Sequence, residues 1–253
     1  MRWLSACLLA VWLLPATGIS ARAGDDPTGA CAAPAELTAP DTPLEHVRAA
    51  IAAGGPVNVL AIGSSSTVGS NSRDPHSAYP YRMIEALHAA RPGVTFHLDV
   101  RGGRGLTAAD MLLQLEDALK DQRYALVVWQ TGTVEAVSGM PPDGLTDPLE
   151  QGRESVLRAG ANLIVVDPRF SRFLRANVDL DPYETALAQV ASVPGVALFH
   201  RFDLMHAWVD DGRIDLERAP QEERDAVLAR LNTCLGDALA RFVLTGAALP
   251  PGG

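Results

Sequence analysis

Aromatic residues make up only 6% of the 253-residue chain, so any core has to be built mainly from Ala, Val, Leu and Ile. Basic residues are also outnumbered: 21 Lys and Arg stand against 30 Asp and Glu, a formal charge of −9. Without clustered cations to displace counterions from a phosphate backbone, nucleic acid is not an expected partner. Cysteine is scarce at three residues, and with no histidine cluster beside them they argue against a zinc site. No apolar run beyond the first 14 residues approaches the ~20 needed to span a bilayer. What remains is globular in character, 47% hydrophobic and 20% charged, with length enough for one or two domains and a sizeable core.

The first 23 residues have the layout of an export signal. Met1 and Arg2 precede the apolar run Trp3 to Leu14, then come Pro15 and the small-residue tripeptide Ala21-Arg22-Ala23. Cleavage after Ala23 is expected, giving a periplasmic or secreted protein with no stable membrane insertion. The alternative, an uncleaved anchor, suffers from a run too short to span. Leu4-Ser5-Ala6-Cys7 has the letters of a lipoprotein signal but precedes most of the apolar run instead of following it. Loss of Cys7 leaves Cys31 and Cys234, and two lone thiols in an exported chain are more often joined than free. A bond closing a loop of about 200 residues would disfavour the unfolded chain by up to about 5 kcal/mol in the entropy model. Two buried thiols are the alternative.

Residues 24–40, rich in Ala, Pro, Asp and Thr, read as a tail held by Cys31. Thr42-Pro43-Leu44-Glu45 has the form of a capping box with Pro at the first helical position. Short apolar runs follow at Val57–Ile62, Val94–Val100, Tyr124–Gln130, Asn162–Asp167 and Val196–Phe199, and between and after them helical patterns fall near 77–90, 107–120, 148–160, 181–192 and 220–243. Strands alternating with helices predict a five-stranded parallel sheet covered on both faces. We expect one three-layer α/β/α domain over 41–245 with a C-terminal tail at 246–253. The segments Val137–Pro148 and Pro168–Pro182 are the expected pocket-covering loops.

In open parallel sheets the ligand crevice lies beyond the carboxyl ends of the strands. After the first run stands Gly63-Ser64-Ser65-Ser66-Thr67-Val68-Gly69, whose hydroxyls and outward-pointing amides suit an anion or a nucleophile. It has no Lys of a Walker loop, no G-x-G-x-x-G turn and no G-x-S-x-G elbow. A serine nucleophile needs a base. Of the six histidines, His46 and His88 fall in helical patterns, His97 in a strand, His200 at a strand end and His76 in a loop, all ordinary structural places. His206 differs, because Asp203 precedes it by three residues and would share its face if the turn is helical. There the carboxylate can fix the imidazole tautomer.

Together these residues resemble the SGNH (GDSL-type) hydrolases, secreted or periplasmic esterases, lipases and carbohydrate O-acetylesterases on a flavodoxin-like three-layer sheet. The first block of that family matches Gly63-Ser64-Ser65-Ser66-Thr67 and implies Ser65 as nucleophile. The second matches Gly105-Leu106-Thr107 and implies that the Gly105 amide helps bind the oxyanion; Thr107 and Asp110 read independently as a helix cap. The last, D-x-x-H, matches Asp203 and His206. The third departs: Gly132-Thr133-Val134-Glu135 puts Val where the family has an oxyanion-hole Asn, and Gln130, Thr131 or Thr133 would have to donate instead, with Gln130 and Thr133 preferred. Losing one such donor typically costs about 10²–10³ in turnover. The resemblance implies a cofactor-free and metal-free serine esterase acting on a carboxylic ester of a small molecule, glycan or lipid, as a monomer. Two alternatives are a noncatalytic glycan- or lipid-binding module and an O-acyltransferase using the same residues. Trp129, Tyr79, Tyr81, Phe170, Met205 and Trp208 could floor a substrate pocket, and Arg101, Arg104, Arg169 and Arg201 could meet an anionic group on the substrate; core packing and ordinary ion pairing are the plainer roles.

Overall fold

The computed structural model describes residues 29, 31–70 and 74–248, so the expected signal peptide, with Cys7, lies outside the described residues, as do positions 24–28 and 30 of the expected N-terminal tail and 249–253 of the expected C-terminal tail. In chain order the elements are α1 (Glu45–Ala52), β1 (Val57–Gly63), α2 (Ser65–Val68), α3 (Tyr79–Ala90), β2 (Phe96–Gly102), α4 (Ala108–Asp121), β3 (Leu126–Gln130), α5 (Thr133–Ser138), α6 (Asp143–Arg158), β4 (Asn162–Val166), α7 (Arg172–Asn177), α8 (Asp181–Ala191), β5 (Val196–Phe199), α9 (Arg201–Asp210) and α10 (Arg224–Ala248). The five strands form one parallel sheet in the order β2-β1-β3-β4-β5. This is the three-layer α/β/α architecture that the alternating pattern predicts.

Strand alternation divides the core in two. Leu126 and Val128 of β3, with Ile164 and Val166 of β4, face one layer with Met83, Leu87, Leu235, Leu239 and Phe242. Val127, Trp129, Leu163 and Val165 face the other, with Met111, Leu115, Leu149, Val156 and Leu187. Both sides of the central strands are therefore dry, which is why they are written as continuous apolar runs. The Trp129 ring lies against α6 at Gly152, where an added Cβ would sit 2.2 Å from a ring carbon.

Local expectations fail where distant contacts intervene. Thr42 does not cap α1; Leu44 is the N-cap, and the Thr42 hydroxyl instead accepts the Gly195 N–H at 3.3 Å. The Leu44 N–H goes to the Gly246 carbonyl of α10. A helix occupies half of the expected Val137–Pro148 loop, because α6 begins at Asp143 and carries Pro148 inside it. The final helix runs to Ala248, beyond the expected boundary at 245. The Thr107 and Asp110 cap is present in both directions at the start of α4.

A Cys31–Cys234 disulfide, with Cα atoms 4.9 Å apart, fastens the N-terminal segment to α10. Trp208 reinforces it by donating from Nε1 to the Ala32 carbonyl at 2.8 Å. Among the described residues no helix is long and apolar enough to cross a membrane, and no group of three or more His, Cys, Asp or Glu could hold a metal ion.

Candidate active site

The parallel sheet delivers five strand ends to one edge, and the residues there form two adjoining cavities. At the end of β1, Gly63 is required by space: a Cβ would meet the Thr67 hydroxyl at 2.4 Å. The chain then turns through Ser64 into the single turn α2. One side chain organises this turn. The Gln130 Oε1 atom at the end of β3 accepts from the Ser64 N–H at 3.1 Å, from the Ser64 hydroxyl at 2.6 Å and from the Thr67 hydroxyl at 3.4 Å. Thr67 also meets the buried Tyr79 hydroxyl at 3.0 Å.

Ser65 is thereby set at the mouth of a cavity of about 310 Å³, which it shares with Gly105, Gln130, Thr133 and Val134. Gly105 adopts φ +75°, in the left-handed region that favours glycine. The N–H groups of Ser65, Ser66 and Gly105 are bonded to no other described residue, so they remain available to an oxyanion. Opposite, α5 starts after Gly132 at φ +90° and presents Thr133 and Val134. Behind them, buried Glu135 accepts the Ala108 N–H through Oε1, tying α5 to the start of α4. Its Oε2, and the Thr131 hydroxyl, are buried without a hydrogen-bond partner.

The structure thus brings together Ser65, Gly105, Gln130 and Thr133, four residues from three different strand ends. It does not bring Asp203 and His206 into the same cavity. Both lie on α9, as the spacing requires, but no hydrogen bond joins them. The His206 Nε2 atom is 2.8 Å from Arg175 Nη1 and 3.3 Å from the Asp210 carboxylate, and its ring stacks on Phe170 at 4.6 Å. A guanidinium can only donate and a carboxylate can only accept, so Nε2 is the acceptor in the first contact and would have to be the donor in the second. Asp203 lines a separate cavity of about 290 Å³ with Asp167, Glu184 and His200. Burial raises the Asp167 carboxyl well above the ordinary aspartate range, opposed by the Phe202 N–H that it accepts at 2.8 Å and by Arg201. Glu184 is raised too, by burial first and then by Asp203 and Asp181.

The arginines sort clearly. Arg101 pairs with Asp99 and Asp121, each at 3.2 Å, on the flank of the sheet. Arg104, Arg169 and Arg201 all line the Ser65 cavity. Arg201 is 3% exposed, touches the Ser66 hydroxyl at 3.3 Å through Nη1, and lies 5.5 Å from the centre of the Tyr79 ring. Burial lowers its pKa, with Tyr79 and Asp167 acting the other way. The second, larger cavity, about 440 Å³, shares Ser66, Arg169 and Arg201 with the first and is lined on its far side by Phe170, Met205, Ile214 and Leu231. Of the aromatic candidates, Phe170 joins that wall, whereas Trp129, Tyr79 and Trp208 are core.

The chain is similar in structure to several esterases. It superposes on a two-domain esterase (CEX) active on acetylated mannans with a TM-score of 0.58 at 15% identity, covering 80% of this chain and 56% of the other, so it spans little more than half of that protein. A catalytic mutant of Axe2, an acetylxylan esterase from Geobacillus stearothermophilus, gives 0.56 at 17%, covering 70% and 93%. AlinE4, an SGNH-hydrolase family esterase, gives 0.53 at 19%, covering 68% and 89%. At such identities the likeness establishes a shared fold. No curated protein matches the chain significantly. A family profile does, over residues 30–249, which is most of the sequence and includes every strand end described above: the chain belongs to the non-GDSL lipase-like family.

Proposed function

We propose that the chain hydrolyses a carboxylic ester, with Ser65 as the nucleophile, after export from the cytoplasm. The observation that carries this is the convergence of the Ser65 hydroxyl with unclaimed amides at Ser65, Ser66 and Gly105, and with the Thr133 hydroxyl, around one cavity. A carbonyl placed there meets a nucleophile on one side and donors for the developing oxyanion on the other. Thr133 is the proposed side-chain donor in place of the missing Asn. Gln130 serves chiefly to hold the turn, since its oxygen already accepts from Ser64. His206 is the proposed base, with Asp203 to orient it; to act, its Nε2 exchanges Arg175 for the Ser65 hydroxyl and its ring leaves the Phe170 stack. Attack forms the Ser65 acyl ester and expels the alcohol, which takes up the serine proton; water then releases the acid. The disulfide supports an oxidising, extracytoplasmic setting.

A second proposal has its own support. No imidazole or carboxylate lines the Ser65 cavity among the described residues, which favours a protein that holds its ligand without cleaving it. A serine-reactive fluorophosphonate separates the two. Ester hydrolysis requires labelling of the purified protein, loss of the label in Ser65→Ala, and loss of nitrophenyl acetate turnover in both Ser65→Ala and His206→Ala. Full turnover in Ser65→Ala would refute the nucleophile, and full turnover in His206→Ala the base.

A further inference from the structure

We infer that the substrate carries a carboxylate or phosphate close to its ester group, held at the seam between the two cavities by Arg201 and Arg169. The inference rests on the Ser65 cavity being the substrate site. Arg201 is almost wholly buried, yet no carboxylate among the described residues lies within ion-pair distance, and its Nε has no hydrogen-bond partner. Asp167 acts electrostatically on Arg201, but burial favours its protonated, neutral form. A buried guanidinium without a counter-ion is costly, and proteins seldom keep one unless it is paired or receives a charge from outside. Arg201 faces both cavities, where a bound ligand can bring the charge that no described carboxylate supplies.

Three further observations point the same way. Arg169 and Arg104 line the same cavity with no carboxylate partner among the described residues. The chain is acidic overall, yet the Ser65 cavity is lined by three arginines and no described carboxylate, while the carboxylates of the larger cavity include Asp215 and Glu217, both paired with Arg172. Arg169 and Arg201 each line both cavities, so two of these cations stand at the seam itself. Adjacent Cα atoms are 3.8 Å apart, so a ligand with its carbonyl at Ser65 and its anion at Ser66 and Arg201 holds the two roughly 4–7 Å apart. The apolar wall at Phe170, Met205 and Leu231 then receives a hydrophobic portion beyond the anion.

The test uses 3-acetoxybenzoate, its neutral methyl ester and 3-acetoxyphenyl phosphate as matched acetyl esters, assayed with the disulfide-bonded protein and with Arg201→Gln and Arg201→Lys. The thermal midpoint is also read with the corresponding deacetylated phenols. A preference of at least tenfold in kcat/KM for an anionic ester over the methyl ester, falling to within about twofold in Arg201→Gln and partly kept in Arg201→Lys, supports the inference. Whichever anionic ester is favoured identifies carboxylate or phosphate. If none of the three is cleaved but the anionic phenols raise the midpoint in an Arg201-dependent way, ester hydrolysis fails while anion recognition stands. Cleavage without preference, and with no selective midpoint shift, overturns anion recognition and leaves Ser65 catalysis intact. Absence of both cleavage and shift overturns both.

Discussion

Replacing Arg201 with methionine should stabilise the ligand-free protein. A buried ion retains an effective desolvation penalty of several kcal/mol even after relaxation. Two contacts in the fold offset part of it. The Ser66 hydrogen bond, with a charged donor, is worth about 1.5–3 kcal/mol, and the guanidinium near the Tyr79 ring about 0.5–2 kcal/mol. Methionine fills similar volume, carries no charge and adapts to an irregular wall already containing Met205. The balance leaves a gain of about 1–2 kcal/mol. With a urea slope of roughly 2–3 kcal/mol/M, the unfolding midpoint should rise by roughly 0.5 M. The measurement is a urea titration in a low-salt, phosphate-free buffer, because any anion that binds the folded state stabilises the wild type by mass action. The advantage of Arg201→Met should therefore shrink as phosphate is added. A variant less stable than wild type by 1 kcal/mol or more in the anion-free buffer would refute the reasoning, because it would mean that the fold already compensates this charge.

Asp167→Asn should also stabilise, with a defined pH dependence. Burial raises the native carboxyl, so the proton-bound form is favoured in the fold; the stability contributed by this group is fully present below the ordinary aspartate range near 3.9 and is lost as pH rises through the raised value. Thermal scans should show Asn ahead at pH 8, the gap closing towards pH 4, and a gap that is constant or reversed at high pH would contradict this. Gly152→Ala drives a methyl into the Trp129 ring and should cost about 1–3 kcal/mol by overpacking, read as a lower urea midpoint. Reducing the Cys31–Cys234 bond, or replacing both residues with serine, should cost about 2–5 kcal/mol in thermal or urea unfolding; a loss below 1 kcal/mol would show that the N-terminal segment contributes little.

The sheet was legible because its central strands are buried on both faces and have glycine close to their ends. Val57–Ile62 and Asn162–Asp167 could hardly be written otherwise. The serine turn was legible for a related reason, since Gly63 and a run of hydroxyls after a buried strand mark a place where backbone amides face outward. Thr42 misled because its local pattern competes with a contact to Gly195, 153 positions away, which no short window contains. Arg201 was visible as a basic residue at a strand end, but its sequence neighbours say nothing of burial or of the missing counter-ion. Those follow only once β1 and α9 are brought side by side. The same holds for Asp203 and His206: the i, i+3 spacing gave them a common helix, while Arg175, from a segment expected to be loop, engages the imidazole.

The sulfur bridge between Cys31 and Cys234 also dictates how the molecule would respond to being stretched. Tension applied at the two ends passes from the N-terminal strap directly into α10 across the covalent bond, bypassing every strand of the sheet. Only the flanking segments, residues before 31 and the stretch of α10 after 234, bear the load. While the bond is intact, the sheet edge that carries Ser65 is therefore mechanically insulated from whatever the ends are attached to.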